Sequence, residues 1–286
     1  MTVCVGLAVN DCLVFAADSA SSIVQTTVDS EGNRTTGVIN VYENGDKVYN
    51  LCRGLPICAM TCGMGNIGSA SIGTLVKKLR KSLEKNSCSD FDKDNYNLEG
   101  VAKLTRDFFW DTYQKADNRS PDSSFEFWVG GYSSDENSSH EVWKIKIEND
   151  SCDDNPEKIT DNGSASLFFG GQPLPIHRLI FGVDPNFEAY LCSIGFKKED
   201  AYRLGTDIRN HFSSELFINS MPVKDAIDLA TYLVDLTKSY FRFSPGADIV
   251  GGETDVAVVT RYEGFKWIKR KYFYSRELNR LETGHV

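Results

Sequence analysis

Two apolar, β-branched-rich segments, residues 3–9 and 13–17, open the chain and are split only by Asn10-Asp11. Asn and Asp accept the backbone of a tight turn, so this stretch predicts a β-hairpin. Strands are also expected at 47–51 and 56–62, which puts four strands ahead of any helix. Between them, residues 25–42 are polar with Thr and Val alternating, and read as a long extended excursion. Helical spacing of Ile72, Leu75, Val76, Leu79 and Leu83 predicts a helix over 67–85; Val101, Leu104, Phe108 and Phe109 predict another over 98–115. Strands follow at 125–132 and 141–147, and then residues 167–169 run into Gly170-Gly171 and a helix from Pro175. A further helix, opened by Pro222, runs to Phe241 with Ala226, Leu229, Ala230, Leu233 and Leu236 inward. Strands at 254–261 and 265–274 close the chain. This order does not alternate as βαβ. It predicts an α+β fold, a four-layer αββα sandwich of two mainly antiparallel sheets between helix layers. One domain is expected over 1–286, with a core over 2–274 and a C-terminal tail over 275–286.

Composition narrows the function classes. Apolar content of 41% with 25% charged residues is globular, and a net charge of −9 argues against nucleic acid as a partner. Eight cysteines (Cys4, Cys12, Cys52, Cys58, Cys62, Cys88, Cys152 and Cys192) lie scattered with no C-x-x-C, which reads as reduced thiols in a cytoplasmic protein. None has metal-ligand spacing to His140, His177, His211 or His285, so neither a metal nor another cofactor is expected. The apolar start lacks a basic region and is interrupted by Asn10-Asp11, unlike a signal peptide. No apolar run reaches membrane-spanning length, so no membrane partner is expected.

Thr2 is where chemistry enters. Removal of Met1 would leave a hydroxyl and a free α-amine on one residue. The amine, with an ordinary pKa of about 7.7–8.0, can take the hydroxyl's proton. Asp18 stands at the end of an apolar strand, where a carboxylate needs a partner, and Lys47 at the start of another could supply the cation. A desolvated lysine near the amine would lower the amine's proton affinity, and the carboxylate would keep the lysine charged.

At Thr2, Ala16-Ala17-Asp18-Ser19, Lys47-Val48 and Thr61-Cys62-Gly63, the chain resembles proteasome β-type subunits, which are N-terminal nucleophile hydrolases. The aspartate falls sixteen residues after the threonine, as in that family, and Asp248-Ile249-Val250-Gly251-Gly252 is similar to its C-terminal Asp-x-x-Ser-Gly-Gly segment. The Met-Thr start is similar to the HslV, Anbu and betaproteobacterial homologue groups. The resemblance implies a threonine peptidase with Thr2 as nucleophile and Lys47 lowering its proton affinity. Asp18 would hold Lys47, Gly63 N–H would form the oxyanion hole, and Asp248 would support the amine. It further implies an extended peptide or unfolded-protein substrate pairing at Ser22, a specificity pocket of Gly45, Tyr49, Thr61 and Gly65, and a homo-oligomeric ring. An ATP-dependent unfoldase is a partner it leaves open. Two family serines are glycine here, at Gly170-Gly171 and at Gly251. They keep alive an inactive scaffold subunit of the same fold, beside a small-amide hydrolase.

Other signals carry less. Gly63-Met64-Gly65-Asn66-Ile67-Gly68 matches a dinucleotide-binding pattern, but no second strand ending in an acid follows it. Phe125, Phe127, Trp128 and Trp143 have strand spacing and read as core, His177 as a helix-surface residue, and the basic run 266–271 as a solvated strand or subunit contact.

Overall fold

The predicted hairpin forms from β1 (Val3–Val9) and β2 (Cys12–Ala17), with Val9 opposite Cys12 across the Asn10-Asp11 turn. The computed structural model describes residues 2–28, 34–84, 91–117, 119, 123–161 and 163–272; Met1, Cys88, His285 and the tail 275–286 lie outside them. The polar excursion is an antiparallel ribbon of β3 (Ser21–Val28) and β4 (Arg34–Tyr42). Next come β5 (Val48–Asn50), β6 (Ile57–Gly63), a small ribbon of β7 (Asn66–Ile67) and β8 (Ala70–Ser71), then helices α1 (Ile72–Glu84) and α2 (Leu98–Gln114). Strands β9 (Phe125–Gly131) and β10 (Glu141–Glu148) follow, with short β11 (Ser151–Cys152) and β12 (Glu157–Lys158) on β10. After β13 (Ser166–Gly171) come α3 (Leu174–Phe181), α4 (Phe187–Ser193), α5 (Lys198–Phe212) and α6 (Val223–Phe243). A hairpin of β14 (Asp255–Thr260) and β15 (Gly264–Lys269) ends the described fold.

The strands pair into two large antiparallel sheets. One runs β13-β1-β2-β14-β15, the other β11-β10-β9-β6-β5. Three apolar layers bind them into an αββα sandwich. Ile72, Leu75 and Phe109 of α1 and α2 pack on Phe125, Phe127 and Ile145 of the second sheet. Leu13, Phe15, Met60, Trp128, Val142 and Phe168 fill the space between the sheets. Val3, Val5 and Leu7 pack with Ile176 of α3 and with Ala230, Leu233 and Val234 of α6. Both faces of β1 are therefore covered, and all seven of its residues are buried. A strand covered on both sides reads as a continuous apolar run, because polar residues have no wet face to occupy.

The structure departs from the sequence reading in several places, and the last strand, expected over 265–274, ends at Lys269. Residues 66–71 form the β7–β8 ribbon, so α1 starts at Ile72 rather than 67. Helices α4 and α5, absent from the sequence reading, stand between the two expected in the second helix layer. Their apolar residues form no inward stripe: Tyr190, Tyr202 and Phe212 are exposed, α4 buries only Leu191 and α5 only Ala201 and Gly205. The basic run is solvated at Lys266, Lys269 and Arg270, but Lys271 is buried.

Two glycines admit rings into the space between the sheets: Phe168 lies over Gly6, its cross-strand partner in the same sheet, and Phe15 reaches across to Gly130 of the other sheet. A Cβ on Gly6 would lie 1.9 Å from Phe168 Cε2, and one on Gly130 would lie 2.4 Å from Phe15 Cζ. Each ring occupies the volume that the missing side chain leaves. Gly6→Ala is therefore expected to destabilise the protein by about 1–3 kcal/mol through overpacking, as read by urea unfolding. An unchanged midpoint would contradict this account of the Gly6–Phe168 contact.

Candidate active site

Thr2 precedes β1 at the end of the sandwich where Asp18, Lys47 and residue 251 also converge. Thr2 is 5% exposed, Lys47 5% and Asp18 0%. Asp18 follows β2, whose pairing with β1 places its carboxylate beside the first residues of the chain. One oxygen, Oδ1, accepts from Lys47 Nζ at 2.6 Å and from the Val3 amide at 2.9 Å. The other, Oδ2, accepts from the amides of Ala20 at 3.0 Å and Gly251 at 3.1 Å. Four donors satisfy the buried carboxylate, which offsets its desolvation and lets one oxygen accept from both the Lys47 ammonium and the amide of the Thr2–Val3 peptide.

The Thr2 carbonyl is fixed from the opposite sheet edge, where the Gln172 amide donates to it at 2.7 Å. This contact explains one missing family serine. Gly171 has φ +83°, and a Cβ there would sit 1.9 Å from the Thr2 carbonyl oxygen. No L side chain fits that backbone and that space. Gly170 is nearly as confined, its Cβ position lying 3.0 Å from Trp128 Cζ2 and 3.2 Å from Cys62 Sγ. Gly251 differs. The nearest atom to its Cβ position is Asp248 Oδ1 at 3.8 Å, so a serine would fit.

A cleft of about 580 Å³ opens over Thr2. Ser21, Ser22, Ile23 and Val24 of β3 form one side, and Cys62, Gly63, Met64 and Gly65 another. Gly171 and Gln172 lie beside Thr2, while Tyr113, Arg119 and Glu126 complete the wall. Gly63 ends β6 with φ +94°, and its Cβ position falls 2.1 Å from the Ser124 carbonyl oxygen, so this point too accepts only glycine. Among nearby thiols, Cys4 is held protonated by burial and by neighbouring Cys62.

Of the residues singled out in the sequence, Thr2, Asp18 and Lys47 come together, while Gly63, Ser22 and Gly65 share the cleft with Thr2. Asp248 is exposed and outside the cleft lining; that segment reaches the ion pair through the Gly251 amide instead. Tyr49, Thr61 and Gly45 are also outside it. Tyr49 stacks on Phe127 under α1 and donates to the Asp46 carbonyl at 2.5 Å. Thr61 donates to the Glu126 carbonyl, and the Gly45 amide donates to the Ser19 carbonyl. Glu126, Arg119 and Gln172 were missed. Glu126 could have been read from strand period, since it shares the inward face with Trp128. Among the described residues, no group of three or more His, Cys, Asp or Glu is placed to hold a metal ion, and no helix is long and apolar enough to cross a membrane.

No protein-family model matches the sequence, and no curated protein matches it. Among solved structures, a Gly-1 mutant of Anbu from Hyphomicrobium sp. strain MC1 superposes with a TM-score of 0.51 at 15% identity, over 95% of this chain and 86% of that one. A second Anbu structure from that organism gives 0.45 at 13% identity, covering 94% and 88% of the two chains. Anbu from Yersinia bercovieri, titled an ancestral β-subunit, gives 0.44 at 13%, also over 94% and 88%. The αββα fold is thus shared with Anbu, one of the bacterial proteasome homologue groups that the sequence resembles.

The two glycine sites separate by experiment. Gly171→Ala is expected to lose more than the roughly 1–3 kcal/mol of backbone strain alone, while Gly251→Ser stays within about 0.5 kcal/mol of wild type in chemical denaturation. Equal effects would contradict the difference in space between them.

Proposed function

We propose that the protein is a threonine-type endopeptidase acting through Thr2 once Met1 has been removed. The observation that carries this reading is the shared acceptor: Asp18 Oδ1 takes both the Lys47 ammonium and the Val3 amide, which holds a buried cation against the first peptide of the chain. With the α-amine free, it accepts the Thr2 hydroxyl proton while Oγ attacks a substrate carbonyl. The negative charge moving onto the carbonyl oxygen is met by the Gly63 N–H, a donor whose loss typically costs about 10²–10³ in rate. The protonated amine then gives its proton to the departing amine, leaving an ester on Thr2. Water hydrolyses the ester, with the α-amine again as base, and restores the hydroxyl.

The substrate in this reading is an extended peptide or unfolded segment laid along Ser21–Val24, where Ser22 offers backbone pairing. Gly65 leaves room at the cleft wall, and Asp248, Gly45, Tyr49 and Thr61 support the site from outside its lining. Association of several copies would cover the apolar side chains exposed on α4, α5 and α6, among them Tyr190, Ile194, Tyr202, Phe212 and Phe243. The glycines at 171 and 251 support a slower enzyme, because the hydroxyls that assist the threonine in the resembling family are missing.

A peptide epoxyketone or vinyl sulfone is expected to form one covalent adduct on Thr2, seen by peptide mass spectrometry and absent in Thr2→Ala. Retention of Met1 in the purified native protein, or a free Thr2 that takes no adduct, would leave the scaffold reading in its place. Light scattering at micromolar concentration is expected to give a mass several times that of one chain; a monomer would count against assembly.

A further inference from the structure

A second buried cation lies beside the ion pair, and the mechanism above does not use it. Lys271, two residues past β15, is 4% exposed. Its ammonium donates to Ser19 Oγ at 2.8 Å, contacts the Asp255 carboxylate and lies 3.8 Å from Asp46 Oδ1. Its backbone amide also donates to Asp255 Oδ1 at 3.0 Å, so both ends of the residue are anchored on the first position of β14.

The two other partners are sequence neighbours of the catalytic pair. Ser19 follows Asp18, and Asp46 precedes Lys47. One ammonium thus spans the exit of β2 and the entry of β5, the two points between which the Lys47–Asp18 contact is drawn. Ser19 is otherwise fully engaged: its amide donates to the Gly251 carbonyl at 3.0 Å, its carbonyl accepts from Gly45 at 2.8 Å and its hydroxyl donates to the Glu253 carbonyl at 2.6 Å. Neutralising Asp255 alone would not require contact with Ser19 and Asp46.

We infer that Lys271 is a positioning residue for the reacting centre, holding Asp18 and Lys47 at their working separation through Ser19 and Asp46. This rests on the reading of Thr2 as the nucleophile. It makes the segment after β15 part of the site's support, although none of that segment's described residues lines the cleft. Displacing a reacting group by about 1 Å can cost up to about 10²-fold in rate, so a loosened pair would slow chemistry without weakening encounter with substrate.

The test compares wild type, Lys271→Met and the charge-balanced double variant Lys271→Met with Asp255→Asn. Hydrogen exchange reads the support directly. The amides of Ser19, Ala20, Gly45 and Gly251 are expected to lose about 10-fold or more of their protection in both variants, beyond any change at β6 amides. Covalent labelling of Thr2 by a peptide epoxyketone is expected to show a maximal inactivation rate about 10- to 100-fold lower at an unchanged half-saturating concentration. Wild-type protection at those four amides in Lys271→Met, or its recovery in the double variant, would overturn the inference and reduce Lys271 to a counterion for Asp255. Should Lys271→Met fail to fold, the double variant decides alone. A wild-type protein with free Thr2 that takes no label would sink the peptidase reading, while hydrogen exchange still decides the role of Lys271.

Discussion

The carboxylate of Asp18 is the joint on which the site depends. It is fully buried and takes four donors from separate stretches of chain: the start of β1, the turn after β2, the entry to β5 and the approach to β14. A buried charge left unpaired is strongly destabilising, so each donor is bound to its place by the cost of leaving that carboxylate bare. The same interaction that keeps the end of the sandwich closed also brings an ammonium to the oxygen that accepts from the Val3 amide. In the proposed reading, stability and chemistry share one set of hydrogen bonds.

Around that joint the fold supplies rigidity from two directions. The β1–β2 hairpin is covered on one face by α3 and α6 and on the other by the second sheet, so Thr2 hangs from a strand with no exposed residue. From the sheet edge, β13 ends with Gly171 against the Thr2 carbonyl and Gln172 bonded to it. The glycine that looks in sequence like a lost hydroxyl is, in the fold, the residue that lets β13 close on Thr2. A serine at that backbone position would collide with the residue it was expected to assist.

Much of this was legible in the chain. The continuous apolar character of residues 3–9 and 13–17 marks the hairpin, and the spacing from Thr2 to Asp18, with Lys47 opening the third core strand, marks the pair. What sequence could not convey was direction. Tyr49 stands one residue from a strand position that faces the other sheet, so period two sends it under α1, away from the cleft. Lys271 ends a run of basic residues whose other members are solvated, and it is buried by its contacts with Asp255 and Ser19, partners distant in sequence that no local pattern announces. Helices α4 and α5 bury only Leu191, Ala201 and Gly205 and leave Tyr190, Tyr202 and Phe212 exposed, so no amphipathic stripe announces them. Strand period puts Glu126 on the inward face with Trp128, but Gln172 reaches the cleft only because the turn after β13 closes on Thr2, a fact of tertiary structure that spacing along one strand does not contain.

The central claim is electrostatic: the Asp18–Lys47 pair makes the Thr2 amine a working base. An amine beside a buried, permanently held ammonium binds its proton less tightly than the same amine in a free peptide. Titration of the Thr2 α-amine by ¹⁵N NMR, in protein with Met1 removed and against a peptide of the same first residues, measures this directly. The account predicts a pKa below the ordinary range of about 7.7–8.0, so that the amine is largely neutral at neutral pH. A value equal to that of the free peptide, or above it, would contradict the account.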